Sequence, residues 1–183
     1  MTAFTVVGSP GDRRTLGFAA ACRAEGLPEP RLISWSGLLN GTAERPGAGL
    51  LRIDSPGTDP RADALLRGPG DPARVGGGAR WYATFTSALD RLRRATAAGT
   101  AWLSDPADIA VMFDKRRCHA RLLAAGVPVP PALPEVGGYA ALRAGMAEAG
   151  WGRVFVKPAH GSSASGVVAL QAHGRRVRAV TGA

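Results

Sequence analysis

An apolar run that ends on a lysine, a stretch of small residues, and a second apolar run constrain this chain more than any other feature. The stretch reads Val154-Phe155-Val156-Lys157-Pro158-Ala159-His160-Gly161-Ser162-Ser163-Ala164-Ser165-Gly166-Val167-Val168-Ala169-Leu170. The β-branched and aromatic residues at 154–156 and 167–170 favour strands, where such side chains pack well on a pleated surface. The glycines, serines and alanine between them leave backbone N–H groups uncovered, and successive N–H groups can form an anion-binding concavity. The chemistry this suggests is a phosphate cradle beside a fixed positive charge.

The N-terminal half has a different rhythm. Phe4-Thr5-Val6-Val7 predicts a short buried strand, followed by the turn residues Gly8-Ser9-Pro10-Gly11-Asp12. Asp12 is placed to cap a helix running to about Glu25, with Leu16, Ala19, Ala20 and Arg23 on adjacent turns. Gly26-Leu27-Pro28 ends it, and Leu32-Ile33-Ser34-Trp35 predicts the next strand. Strand, helix, strand in that order argues for a parallel sheet. The Gly8–Gly11 loop either touches a ligand at the helix N-terminus or is a tight turn between strand and helix; it lacks the G-x-G-x-x-G spacing of dinucleotide binders, which favours the turn.

Leu50-Leu51-Arg52-Ile53 predicts a third strand, and 54–80 reads as mostly loop with a short helix over 62–67. The clearest helix spans 81–98, with Trp81, Phe85, Ala88, Leu89 and Leu92 on one face and a solvated run of arginines opposite. Asp105 before Pro106 is a strong helix start, and the helix it opens runs to about Met112. Asp114 caps the next helix, in which Cys118, Leu122 and Ala125 form the apolar stripe and which Gly126 stops. Tyr139, Leu142 and Met146 mark another helix, and 176–180 offers a further strand.

Charge is distributed unevenly. Of 23 basic residues only Lys115 and Lys157 are lysine, and both sit beside recognisable motifs. Lysine is a compact point charge on a flexible stem and a frequent phosphate ligand, so its survival at two positions in an arginine-rich chain is informative. Residues 115–183 carry a net charge of +8 out of the total of +9. A basic half suggests a polyanionic partner, either a nucleoside triphosphate or nucleic acid. Two unclustered cysteines, Cys22 and Cys118, exclude a disulfide framework and a cysteine metal site, and the expected compartment is the cytoplasm. No run approaches the roughly 18 apolar residues of a membrane helix. No Ser-His-Asp pattern and no G-x-x-x-x-G-K-[ST] phosphate loop is present.

In this order the parts resemble the ATP-grasp superfamily: a Rossmann-like N-terminal region, Asp105-Pro106 with Asp114-Lys115 and its helix closing in 124–130, then Val154-Phe155-Val156-Lys157-Pro158, then Gly161 to Val167. The resemblance implies an α/β fold, a Rossmann-like parallel sheet over 1–103 followed over 104–183 by the N-terminal part of an α+β ATP-grasp domain. It implies that Lys115 and Lys157 hold ATP phosphates, and that Gly161, Ser162, Ser163, Ser165 and Gly166 belong to the loop over the β- and γ-phosphates. Two residues here separate the serine pair from the next glycine, where the family has one. His160 either reaches a phosphate or faces solvent.

The implied activity is ATP-dependent ligation of a carboxylate, on a small molecule or a peptide, to an amine or thiol through an acyl phosphate. That chemistry uses Mg²⁺, whose ligands the family supplies after the glycine-rich loop. Residues 149–183 contain no Asp or Glu, so no metal ligand and no catalytic residue is assigned. The expectation is an ATP-grasp ligase truncated before its C-terminal lobe, inactive as it stands, with uncovered apolar surface that promotes association. The alternative is a non-catalytic Rossmann-like module that holds a nucleotide or nucleic acid on its basic face, nucleic acid being the less favoured partner.

Overall fold

The computed structural model describes residues 3–57, 59–70, 76–161 and 166–181. The chain divides into two compact units, Met1–Met112 and Phe113–Ala183. Among the described residues no helix is long and apolar enough to cross a membrane.

In the first unit, β1 (Phe4–Gly8) lies between β2 (Arg31–Ser34) and β3 (Leu50–Ile53), and β4 (Ala101–Trp102) flanks β3. Every pairing is parallel, as the strand–helix–strand order predicts, with Val6 opposite Leu32 on one side and Arg52 on the other. Parallel neighbours need crossovers. The helix α1 (Arg13–Ala24) connects β1 to β2, and α2 (Trp35–Asn40) connects β2 to β3. Two more helices, α3 (Pro60–Arg67) and α4 (Gly78–Ala95), separate β3 from β4. Asp12 caps α1 as expected, its side chain accepting from the Arg14 N–H. The buried residues of α1 are Thr15 and Cys22, however, and Leu16 is exposed, so the face expected from Leu16 is not the covered one.

Trp35 corrects a second expectation. It opens α2 rather than ending β2, because Ser34 turns the chain by accepting the Gly37 N–H at 3.1 Å. Its ring is fully buried, packs 5.4 Å from Phe85, and donates its indole N–H to the Asp54 carbonyl at 2.8 Å. The clear helix begins at Gly78 and ends at Ala95, and its buried residues Phe85, Ala88, Leu89 and Leu92 belong to the predicted face. Gly49 precedes β3 at φ +137°, where a Cβ would lie 2.3 Å from the Ala3 carbonyl oxygen, so β3 can run beside β1 only from a glycine. The fifth helix, α5 (Pro106–Met112), starts as read, with the Asp105 side chain accepting the Ala107 N–H at 2.7 Å.

The second unit holds α6 (Lys115–Ala124), α7 (Tyr139–Glu148) and three antiparallel strands, β5 (Arg153–Val156), β6 (Val168–His173) and β7 (Arg176–Thr181), in that spatial order. The strand pair read from the sequence is therefore present, with β7 as its third member. Val154 faces Leu170, and Leu170 faces Ala179. Side chains alternate along a strand, so Arg153, Phe155, Ala169, Gln171, Arg178 and Val180 share the opposite face. That face is open: Phe155 is 70% exposed and Val180 52%. The expected stripe on α6 is not covered either. No residue of that helix is buried, and Leu122 and Leu123 are exposed. Arg143 of α7 donates to the Gly174 carbonyl at 2.9 Å and ties the helix to the β6–β7 turn.

Candidate functional site

The two lysines singled out in the sequence both lie in the second unit, one at the start of a helix and one just past the end of a strand. Lys115 is the first residue of α6, whose N-terminus is capped by Asp114. The Asp114 Oδ1 atom accepts the N–H groups of Arg116 at 3.0 Å and Arg117 at 3.4 Å, which is the job of an N-cap. Lys157 follows Val156, the last residue of β5, and its Nζ lies 5.8 Å from the centroid of the Phe155 ring.

The segment 159–161 is fastened to residues 114–115 by three successive contacts. The Lys115 N–H donates to the Ala159 carbonyl at 3.0 Å. His160 Nε2 lies 3.2 Å from Asp114 Oδ2, and the two residues form an isolated antiparallel bridge. The Lys115 Nζ donates to the Gly161 carbonyl at 2.6 Å. Gly161 takes φ +129° and Gly166 φ +68°, backbone shapes that favour glycine. Ser162, Ser163 and Ser165 lie outside the described residues.

Electrostatics follow from this packing. Burial pushes the Lys115 pKa below its ordinary value, the charge of Lys157 pushes it further down, and Asp114 opposes both. Burial likewise lowers the pKa of His160; Asp114 resists this, while Arg116 and Lys115 add to it. For Asp114, burial favours the neutral acid. The Arg116 guanidinium and the backbone N–H groups of Arg116 and Arg117 outweigh that and hold its pKa below the usual carboxylate value. Arg116 also bridges to Glu135 at 2.9 Å. The result is a cluster of cations that repel one another, at the point where a small-residue segment begins. A polyanion relieves that repulsion, so the residues present fit a polyphosphate.

They do not fit magnesium. Among the described residues no three His, Cys, Asp or Glu stand together to hold a metal ion. Of the carboxylates beside these residues, Asp114 has both oxygens engaged by Arg116, Arg117 and His160, and Glu135 is paired with Arg116. Magnesium asks for carboxylate oxygens free to ligate. No step is assigned to it.

Of the candidates named from the sequence, Lys115 and Gly161 are brought into contact; the sequence reading did not join Asp114 to His160, or single out Phe155. Of the two readings of His160, the solvent-facing one is not observed: its side chain is 12% exposed and bonded to Asp114. His119 instead contacts the Pro130 carbonyl at 2.8 Å.

No family model and no curated protein matches the chain. Solved structures do. The chain is similar to the ATP-grasp ligase PsnB complexed with minimal precursor, at TM-score 0.53 and 23% identity over 98% of this chain and 56% of that one. It is also similar to PsnB complexed with precursor peptide PsnA2 and AMPPNP, at 0.52 and 22% over 98% and 58%. A third structure, PsnB with a phosphomimetic variant of minimal precursor, Mg and ADP, gives 0.55 and 22% over 98% and 57%. The likeness is one of fold: a mixed α/β chain with a parallel four-stranded sheet and a separate antiparallel sheet, ATP-grasp-like in architecture. The chain spans a little over half the length of these structures.

Proposed function

We propose that this chain binds ATP in the ATP-grasp manner, with Lys115, Lys157 and the backbone at Gly161 and Gly166 on the phosphates. In this reading 1–103 is the Rossmann-like pre-ATP-grasp domain and 104–183 the N-terminal portion of the nucleotide-binding domain. The observation that carries it is the Lys115 ammonium held on the Gly161 carbonyl at 2.6 Å, where burial and the charge of Lys157 both lower the Lys115 pKa. Phe155 adds to it. An aromatic ring 70% exposed beside a lysine is a stacking surface for a nucleobase.

The reaction served is ligation. A carboxylate oxygen attacks the γ-phosphorus, ADP leaves, and an amine or thiol displaces phosphate from the resulting acyl phosphate. The lysines offset charge on the phosphate oxygens during that transfer. PsnB carries a precursor peptide in its complexes, which favours a peptide carboxylate over a free small acid. Its complex with Mg and ADP favours magnesium as the metal of the reaction. Free Cys22 and Cys118 favour a reducing compartment, the cytoplasm.

The test is a titration of ¹⁵N-labelled protein with ATP, followed by amide shifts. Lys115, Lys157, Gly161 and Gly166 are expected to move together, and Lys157→Ala is expected to weaken binding more than Lys115→Arg. Unchanged ATP affinity in Lys157→Ala overturns the assignment.

The open sheet face favours one other reading. Arg153, Gln171 and Arg178 stand in register across three strands beside Phe155, a basic and aromatic surface of the kind that holds single-stranded nucleic acid. Binding of an oligonucleotide that weakens steeply with salt and is not displaced by ATP selects that reading.

A further inference from the structure

The division of labour between the two oxygens of Asp114 carries one inference further. Both capping N–H groups of α6, those of Arg116 and Arg117, go to Oδ1. An N-cap needs only that one acceptor, and a serine would supply it. The second oxygen, Oδ2, faces His160 at 3.2 Å and the Arg116 guanidinium at 3.2 Å. The His160 contact does nothing for the cap. It crosses 46 positions of sequence and joins the helix start to the segment after β5.

On either side of that contact the same two segments are joined again, through the Lys115 N–H to Ala159 and through Lys115 Nζ to Gly161. Lys115 has three ammonium donors, and the Gly161 carbonyl takes one of them, which fixes the direction of the other two. A lysine stem is otherwise free to rotate about four bonds. We propose that Asp114 and His160 are positioning residues of the phosphate site, a clasp that holds Gly161 against the start of α6 and thereby aims the Lys115 ammonium. This rests on the ATP-binding reading above.

The experiment is an amide-shift titration of the full chain with ATP and, separately, with inorganic tripolyphosphate. The proteins are wild type, His160→Ala, His160→Gln, Asp114→Ser, the His160→Ala/Asp114→Ser double variant, and Lys157→Ala. Asp114→Ser keeps the cap and loses the clasp. His160→Ala and Asp114→Ser are each expected to weaken both ligands about fivefold, and the double variant to be no weaker than either single. His160→Gln keeps an N–H for Asp114 and is expected within about twofold of wild type, a rescue that a general packing role of the imidazole does not give. If Lys157→Ala weakens binding while His160→Ala binds like wild type, or if the two single effects multiply in the double variant, the clasp is overturned and the site stands. If wild type binds neither ligand, the phosphate site falls, and the clasp with it.

Discussion

Replacing Asp114 by alanine separates the structural from the functional weight of this residue. The change removes the acceptor for the Arg116 and Arg117 N–H groups at the start of α6, a loss worth about 1 kcal/mol for a helix cap. It also removes the carboxylate oxygen that lies 3.2 Å from His160 Nε2. Losing that hydrogen bond costs about 1 kcal/mol. Together these predict that the second unit loses about 2 kcal/mol, while the first unit, which contains neither group, is unchanged. Native-state amide exchange resolves the two. Protection at Val154 and Leu170 reports the second unit, and protection at Val6 and Leu51 reports the first. Asp114→Ser is expected to recover about half of the loss, because it restores the cap alone. A loss below about 0.5 kcal/mol in Asp114→Ala, or full recovery in Asp114→Ser, refutes the reasoning.

Three further outcomes follow from the same geometry. Phe155→Ala is expected to leave stability within about 0.5 kcal/mol of wild type, since the ring is 70% exposed, yet to weaken ATP by roughly 1 kcal/mol or more without changing tripolyphosphate affinity; equal losses for both ligands refute the stacking role. The folded-state pKa of His160 lies below its ordinary value of about 6.5, so its neutral form contributes stability that is full above that pH and is lost as pH falls toward the folded value. Asp114, also shifted down, holds its contribution to below about pH 4 and loses it as pH falls through its own folded value. Urea midpoints of the second unit measured from pH 8 to 4 should decline first through the histidine step, and His160→Gln should remove that step alone. Gly49→Ala places a methyl 2.3 Å from the Ala3 carbonyl at a φ of +137°, and thermal melts should show the first unit destabilised by about 2 kcal/mol or more.

Much of this architecture is written in short-range chemistry. Asp12, Asp105 and Asp114 announce helix starts because a carboxylate one residue before a helix has N–H groups within reach, whatever the rest of the chain does. The hairpin strands are legible because β-branched residues on both sides of a small-residue segment allow few alternatives. Trp35 was hidden by its neighbours: Leu32 and Ile33 extend an apolar run straight into it, and only the turn made by Ser34 separates strand from helix. Phe155 was hidden by its own strand. Val154, Phe155 and Val156 are all apolar, so nothing in their order says which face is covered, and the register with Leu170 decides it. The pairing of Asp114 with His160 has no local signature at all. Contacts between residues so far apart depend on how an intervening helix and strand pack, which no periodicity encodes. The exposed Leu122 and Leu123 show the converse: an amphipathic pattern promises a partner surface without saying where it comes from.

The small number of covered apolar side chains in the second unit sets its thermal character. Among the described residues only Met146 and Leu170 there are buried hydrophobics, whereas the first unit has a core running from Val6 to Ile109. The heat capacity released on melting scales with apolar area newly wetted. The second unit is therefore expected to show a shallower dependence of stability on temperature, a smaller unfolding enthalpy and a broader transition than the first. Its order comes chiefly from backbone pairing in β5, β6 and β7 and from polar ties such as Asp114 to His160. For such a unit a ligand that binds the folded form alone contributes a larger fraction of the total stability, because the same mass-action increment is added to a smaller starting value.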